Sequence, residues 1–162
     1  MFKPARPTWL LIVLCVGAPL LVGFLGSLAT RSAVAGWYAG LVKPPWTPPS
    51  WTFGVVWTVL YVMMGVASYL VVRRGVSRPG VRPAMTFYVL QLVLNGVWSP
   101  VFFGLRAPWV ALGIIVVLVP AVWVTMVLFR RVSRGAGVLL VPYLAWVCFA
   151  TYLNAGFAWL NR

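Results

Sequence analysis

Residues 109–129 read WVALGIIVVLVPAVWVTMVLF, and this stretch decides the fold class. It contains no charged residue, and its length matches the ~20 residues that a helix needs to cross the hydrocarbon core of a bilayer. The run from Leu112 to Val119 is apolar throughout, whereas a strand of a membrane barrel would alternate between polar and apolar residues. Because lipid offers no hydrogen-bonding partner to backbone groups, the stretch is predicted to be a transmembrane helix.

Four further stretches of similar length and composition indicate that the whole chain is a membrane protein. Of its 162 residues, 63% are hydrophobic and 8% are charged, whereas about a quarter of the residues in typical soluble domains are charged. We therefore predict an all-α bundle of five transmembrane helices, in a single domain over residues 1–162. The predicted helices cover about residues 8–28, 51–72, 84–105, 109–129 and 138–160.

The first of these stretches has some features of a secretory signal peptide. Basic residues precede it, and Ala33-Val34-Ala35 has the small residues of a cleavage site. Its apolar run, however, is longer than the core of about 7–15 residues that signal peptides use, and Arg31 stands before the possible site. We therefore expect this segment to remain as a helix.

The charge balance excludes most catalytic chemistry. The chain has 13 Lys and Arg residues and no Asp, Glu or His. It therefore lacks the side chains for a paired-carboxylate site, a Ser-His-Asp triad, a His metal site or an acidic proton relay. Cys15 and Cys148 both lie in apolar stretches and are interpreted as small hydrophobic residues rather than as a disulfide. No metal site is expected.

The basic residues lie between the apolar stretches, which is typical of interfacial anchors and not of a nucleic-acid-binding face. With five spans, nine of them fall on one side of the membrane and four on the other. The positive-inside rule then places the N-terminus in the cytoplasm and the C-terminus on the opposite side, and the loops should attract anionic lipids. The larger group is Lys3, Arg6, Arg73, Arg74, Arg78, Arg82, Arg130, Arg131 and Arg134, and the smaller is Arg31, Lys43, Arg106 and Arg162.

The connection between the first two predicted helices, about residues 29–50, is the longest and is rich in aromatic residues and prolines. Proline fixes φ and lacks a backbone N–H, so this loop cannot form one long helix. We expect it to be stiff and partly in the polyproline conformation. Two interpretations stay open: an aromatic belt at the membrane interface, or a structured lid over a cavity.

Polar residues within the predicted spans are few. Gln91 and Asn95 are four residues apart and therefore share one face of a helix, and Asn154 lies in the fifth span. Hydrogen bonds between helices are the favoured interpretation of these amides, ahead of ligand contact. Four prolines within the spans predict local kinks or breaks: Pro19, Pro100, Pro120 and Pro142.

Several motifs together resemble one known family. The first loop and second span contain Trp37-Tyr38-Ala39-Gly40-Leu41, Lys43-Pro44, Trp46-Thr47-Pro48-Pro49, Trp51-Thr52-Phe53, Trp57 and Leu60-Tyr61. The third and fifth spans contain Gln91-Leu92, Leu94-Asn95, Trp98-Ser99-Pro100, Phe102-Phe103-Gly104, Pro142-Tyr143-Leu144, Trp146 and Phe149-Ala150-Thr151-Tyr152-Leu153-Asn154. Over nearly its whole length the chain is similar to the translocator protein family, also called the tryptophan-rich sensory protein, peripheral benzodiazepine receptor or TspO/MBR family.

This resemblance implies a five-helix bundle with a ligand cavity beneath the first loop, which acts as a lid. It implies an integral membrane receptor or carrier, in a bacterium, for porphyrin-type tetrapyrroles or similar hydrophobic small molecules. Members of the mitochondrial branch also bind cholesterol. The matched ligand-binding positions are Ser27, Thr30, Trp37, Tyr38, Phe53, Gly54, Val56, Trp57, Asn95, Trp146, Ala150 and Leu153.

The residues refine the expected ligand. Arg31 and Lys43 flank the loop, where charge-assisted hydrogen bonds to propionates are possible. Because the chain has no His, metal-free porphyrin should bind at least as well as haem, as a ligand and not as a cofactor. Sterol binding is doubtful, since the first basic residue after Tyr152 is Arg162, too far for the cholesterol motif.

Two other functions stay open besides the receptor or carrier. The first is a light- and oxygen-dependent porphyrin-degrading enzyme, for which the resemblance implicates Trp57 and Trp146. The second is a regulatory scaffold that responds to a ligand. A homodimer is also expected, from the family and from the small-residue spacing of Gly23 and Ser27.

Overall fold

The computed structural model describes residues 8–162 and folds them into a helical bundle with short connections. Five helical segments are long and apolar enough to cross a membrane, which confirms the predicted five-helix membrane protein. The fifth segment consists of two helices that meet at Leu140. The helices are α1 (Thr8–Ala35), α2 (Ser50–Val72), α3 (Val81–Ser99), α4 (Pro108–Val132), α5 (Arg134–Leu139) and α6 (Val141–Leu160).

The first helix is longer than the sequence suggests. It was expected to end near Leu28, but α1 continues to Ala35, just before Gly36. Residues 29–35 contain no glycine or proline, so nothing in them interrupts the backbone hydrogen bonding of the helix. The possible cleavage motif therefore forms the last turn of α1.

The first loop consequently covers residues 36–49. It begins with a 3₁₀ turn, Tyr38–Gly40, and continues without regular structure to α2. Leu41 has φ −73° and ψ 146°, and Pro49 has φ −54° and ψ 145°. Both pairs of angles are close to polyproline II, so the loop is partly extended, as its prolines predict.

Two of the four prolines mark breaks in the spans, and two do not. Pro100 begins a π-helical turn, Pro100–Gly104, at the end of the third span. Pro142 stands in the first turn of α6, directly after the break at Leu140. α1 and α4 continue past Pro19 and Pro120.

The helices surround the core in the order α1, α2, α5 with α6, α4 and α3. α1 and α2 approach each other closely at Gly65, where an added Cβ would lie 2.5 Å from Cα of Val16 and 2.9 Å from the carbonyl oxygen of Cys15. Only a glycine fits between two backbones at that separation.

The two ends of the bundle differ in their packing. The arginine-rich end, with the α2–α3 and α4–α5 connections, has a solid core in which Met64, Val71 and Phe129 are fully buried. At the opposite, first-loop end, Tyr38 and Phe157 belong to a second cluster that joins the loop to α6. Between these two packed regions the bundle is hollow.

Candidate functional site

A cavity of about 690 Å³ occupies the half of the bundle nearer the first loop. Its walls are the second half of α1, the first half of α2, and the end of α3 with the π-helical turn. Tyr61 and Asn95 lie at its inner end, and Tyr38 of the first loop lies at its outer end. Sites for small molecules usually have volumes of about 300–1,000 Å³ and mostly apolar walls, and this cavity has both properties.

Aromatic rings form much of the wall. Trp57 and Tyr61 lie one turn apart on α2, and their rings stack with centroids 5.4 Å apart and planes at 29°. Phe53 continues this aromatic surface towards the loop, while Trp98 and Phe103 contribute from the end of the third span. Such surfaces favour a flat, apolar ligand that can stack on them.

The inner end of the cavity is polar but uncharged. The hydroxyl of Tyr61 donates a hydrogen bond of 2.7 Å to Oδ1 of Asn95, and Nδ2 of Asn95 donates one of 3.2 Å to the hydroxyl of Tyr143. The Tyr143 hydroxyl in turn donates to Oε1 of Gln91 at 2.7 Å. The two amides predicted to share a face of the third span therefore both bond to neighbouring helices, and Asn95 also borders the cavity.

The third amide holds one of the cavity rings. Nε1 of Trp98 donates a hydrogen bond of 3.0 Å to Oδ1 of Asn154, and Nδ2 of Asn154 donates one of 2.8 Å to the carbonyl oxygen of Pro108. Asn154 thus connects α6 to α3 and to the beginning of α4. It fixes the orientation of the Trp98 indole without lining the cavity itself.

The outer end carries positive charge. Arg31 lines the cavity near the end of α1, and Nζ of Lys43 lies 5.8 Å from the centroid of the Tyr38 ring. Since the chain has no Asp or Glu, neither cation has a carboxylate side chain to pair with. Burial raises the pKa of the Tyr38 hydroxyl, so this group stays neutral beside Lys43. The cavity therefore offers unpaired positive charge at its mouth and neutral groups at its inner end.

The cavity also opens sideways between α1 and α2. Phe24 lines it and is still 58% exposed on the outside of the bundle. Ser27 and Gly54, on either side of the gap, are exposed as well, and an added Cβ at Gly54 would meet no atom within 4 Å. The two helices approach closely at Gly65 and leave this gap towards the first loop, within the two membrane-spanning segments.

A profile of the TspO/MBR family matches residues 15–160. The chain belongs to this family. It is 45% identical over 152 residues to the tryptophan-rich protein TspO of Chlorobaculum tepidum, covering 94% of this chain and 96% of that protein. It is 42% identical over 150 residues to the translocator protein of Homo sapiens, covering 91% and 88%. It is also 42% identical over 132 residues to the tryptophan-rich sensory protein of Cereibacter sphaeroides, covering 80% and 81%.

The family membership confirms the resemblance carried by the motifs, and the structure shows where the matched positions lie in this TspO/MBR protein. Most of them come together around the cavity, from α1, the first loop, α2 and α3. The matched residues that line the cavity are Ser27, Thr30, Tyr38, Phe53, Gly54, Trp57 and Asn95.

The other five matched positions lie outside the cavity. Val56 and Trp146 border a separate apolar groove between α2 and α6, and Phe53 stands beside Trp146 with ring centroids 5.8 Å apart. Trp37 packs edge-on against Phe102. The remaining two, Ala150 and Leu153, are buried in the core of the bundle. Their part in ligand binding stays a prediction.

Among the cavity residues that the matched set does not include are Arg31, Trp98 and Phe103. Arg31 had been singled out only for its charge. Trp98 lies three residues after Asn95, so helical spacing places both on one face of α3. Phe103 could not be placed in this way, because the π-helical turn changes the angular spacing of side chains after Pro100.

Proposed function

We propose that this integral membrane protein is a receptor or carrier for a porphyrin-type tetrapyrrole or a similarly flat hydrophobic molecule, bound in the cavity between α1, α2 and α3. The observation that carries the proposal is the combination of a stacked aromatic wall, Trp57 on Tyr61, with an unpaired cation, Arg31, at the cavity mouth. A porphyrin matches both features, since it has a planar ring and carboxylate side chains at one edge.

The aromatic wall supports the planar part of this ligand. Favourable pairs of aromatic rings contribute about 0.5–1.5 kcal/mol beyond the burial of their area. Trp57 offers such a face on α2, and Trp98 offers a second from α3, held in orientation by Asn154. The apolar ring of the ligand could then pass from the lipid into the cavity without crossing water.

The charge distribution supports one orientation of the ligand. Hydrogen bonds between ionised partners are roughly twice as strong as neutral ones, and a guanidinium can bind a carboxylate through two of them. Propionates would therefore lie at Arg31, with the apolar edge of the ring towards Tyr61 and Asn95. Among the described residues that line the cavity there is no His, Cys or Met, and only the phenols of Tyr38 and Tyr61 are of a type that ligates iron, which favours the metal-free ring.

The packing of the other half favours a receptor, or a carrier that changes conformation, over an open pore. Met64, Val71 and Val81 are fully buried between the inner end of the cavity and the arginine-rich end. A ligand that enters the cavity meets these packed side chains. Movement across the membrane would need a rearrangement of the helices.

Quenching of tryptophan fluorescence by porphyrins tests the proposal. Titrations would compare protoporphyrin, its dimethyl ester and haem on wild type, Trp57→Ala and Arg31→Gln. We expect Trp57→Ala to weaken all three, and Arg31→Gln to weaken protoporphyrin about tenfold but not the ester. Arg106→Gln, at the same end of the bundle but away from the cavity, is the matched control. Wild-type affinity in both cavity variants would contradict the proposal.

A light-dependent, porphyrin-degrading activity is the second candidate, favoured by the position of Trp57. Its ring faces the cavity, stacks on Tyr61, and lies 6.2 Å from the ring of Tyr143, so an oxidised ring has aromatic neighbours. Illumination of the complex in air, with loss of the porphyrin absorbance followed over several turnovers, tests it. Turnover that persists in Trp57→Phe at the wild-type rate, or that free porphyrin matches, would rule out this role.

A further inference from the structure

Asn161, at the end of α6, holds the first loop by two hydrogen bonds. The backbone N–H of Val42 donates a hydrogen bond of 2.8 Å to Oδ1 of Asn161, and Nδ2 of Asn161 donates one of 3.0 Å back to the carbonyl oxygen of Val42. The same Nδ2 also lies 3.0 Å from the carbonyl oxygen of Phe157. Asn161 therefore caps the last turn of α6 and pairs with the loop backbone at the same time.

The following loop residues continue along α6. We call residues 42–46 the strap. Pro44 is buried against Gly156, where an added Cβ would lie 2.6 Å from the Pro44 Cβ, and the hydroxyl of Tyr152 donates a hydrogen bond of 3.2 Å to the carbonyl oxygen of Pro45. The ring of Trp46 lies 6.0 Å from that of Tyr152. The strap thus runs antiparallel to the end of α6, from Asn161 back to Tyr152.

The backbone of the strap is strained where it ends. Trp46 has φ 61°, in the left-handed region that bulky residues rarely adopt. A bulky residue populates such a conformation roughly tenfold less, or lower still, than an ordinary one, and the conformation persists only where neighbouring groups hold it. Two interactions hold it at Trp46: a turn in which the N–H and the hydroxyl of Thr47 both donate to the carbonyl oxygen of Pro44, and the contact of the exposed Trp46 ring with Tyr152 of α6.

The strap itself stays outside the cavity, but Tyr38, four residues before it, does not. No strap residue lines the cavity, whereas Tyr38 does and is buried between Phe103, at 5.3 Å, and Phe157, at 5.2 Å. Within the loop, the turn that carries Tyr38 has only two short-range backbone bonds, from Gly40 to Trp37 and from Leu41 to Tyr38. The Tyr38 ring is therefore held by its contacts with Phe103 and Phe157, and the turn itself by the backbone on either side of it, which after Leu41 is the strap.

We propose that Asn161 is a positioning residue for the ligand site. By holding the strap on α6, it keeps Tyr38 over the outer end of the cavity and so limits how fast a bound molecule leaves. This inference rests on the proposed function for its ligand, but the order of the loop that it predicts is a property of the empty protein.

Asn161→Ala is the variant that tests this role, with Arg162→Ala as its matched control. The control changes the next residue in the chain. Its guanidinium lies 4.2 Å from the centroid of the Trp159 ring and makes no hydrogen bond to the strap. Two measurements apply to each protein in detergent micelles: hydrogen exchange of the Gly40 and Leu41 amides without ligand, and the dissociation rate of protoporphyrin.

We expect Asn161→Ala to speed exchange at both amides and to speed protoporphyrin dissociation about fivefold, with Arg162→Ala unchanged. Neither amide contacts Asn161, so faster exchange reports the loop and not the lost bond. Faster exchange with an unchanged dissociation rate would overturn the proposal, since it would show that the ligand leaves through the gap between α1 and α2.

Unchanged exchange would overturn it as well, because the loop would then hold its position without Asn161. If wild type binds no porphyrin at all, the proposed function fails, and the exchange data alone decide whether Asn161 orders the loop. Asn161→Asp, which keeps an acceptor for Val42 N–H but loses the donor, should fall between alanine and wild type.

Discussion

Tyr143 on α6 donates a hydrogen bond of 2.7 Å to Gln91 on α3, and the two side chains are 0% and 1% exposed. The same hydroxyl accepts a bond from Asn95, which in turn accepts one from Tyr61 on α2. The Tyr143 hydroxyl therefore joins α6 to α3, and Asn95 extends the network to α2, at the inner end of the cavity. Buried polar groups of this kind cost free energy whenever a partner is removed.

Tyr143→Phe should destabilise the bundle, because it leaves Oε1 of Gln91 and Nδ2 of Asn95 without that partner in the core. We expect a loss of about 1–3 kcal/mol in the free energy of unfolding. Unfolding by SDS titration in mixed micelles measures it. Tyr69→Phe, at a half-buried position of α2 outside this network, is the control. Equal stability of the two variants would show that the network contributes nothing.

Gly65→Ala should push α1 away from α2. The added Cβ would lie 2.5 Å and 2.9 Å from backbone atoms of Val16 and Cys15, and a backbone cannot rotate aside as a side chain can. We expect a loss of about 1–3 kcal/mol in the free energy of unfolding, typical of overpacking. Gly113→Ala on α4, with no atom within 4 Å of the added Cβ, should be neutral or stabilising by up to about 1 kcal/mol. A loss of stability in Gly65→Ala with no loss in Gly113→Ala is the expected result, and an equal loss in both would contradict it.

Gly54→Leu should fill the cavity without harming the fold. Gly54 lines the cavity and has free space where its Cβ would be, so a larger side chain enters the volume that a ligand needs. We expect protoporphyrin affinity to fall at least about tenfold, with unfolding unchanged or slightly more difficult. Gly17→Leu, at an open position of α1 away from the cavity, should leave affinity as it is. Unchanged binding in Gly54→Leu would place the ligand elsewhere.

The membrane fold follows from the sequence because each span is an uninterrupted apolar run, and lipid permits few alternatives to a helix. The spacing of Gln91 and Asn95 also predicts their common face and their bonds to other helices. The end of α1 does not follow, since Arg31 and Ser32 read as loop in a hydropathy pattern although nothing in residues 29–35 breaks a helix. A charged residue lowers the hydropathy of a segment, but it does not interrupt the backbone hydrogen bonding of a helix.

The cavity could be predicted only in part, because its residues depend on how helices rotate against one another. Trp57 and Trp146 carry equal weight in the motifs, yet Trp57 faces the cavity and Trp146 the groove between α2 and α6. The bond from Val42 to Asn161 joins positions 119 residues apart. No local pattern signals such a contact, since a terminal asparagine is equally compatible with a free helix end.

Anionic lipids should stabilise the protein through its arginine-rich end. Seven exposed arginines lie there, in the α2–α3 connection and in the helix ends beside the α2–α3 and α4–α5 connections, and the chain has no carboxylate side chain to neutralise them. Each basic residue near an anionic surface contributes about 1 kcal/mol of attraction, and salt screens it within roughly 8 Å at physiological ionic strength.

The thermal unfolding midpoint should therefore be higher in nanodiscs of phosphatidylglycerol than of phosphatidylcholine, and the difference should shrink in high salt. The double substitution Arg130→Gln and Arg131→Gln should reduce it, whereas Arg106→Gln with Arg162→Gln, which removes the same charge at the other end, should reduce it less. An equal effect of both sets would mean that net charge alone, and not this surface, determines the response to lipid.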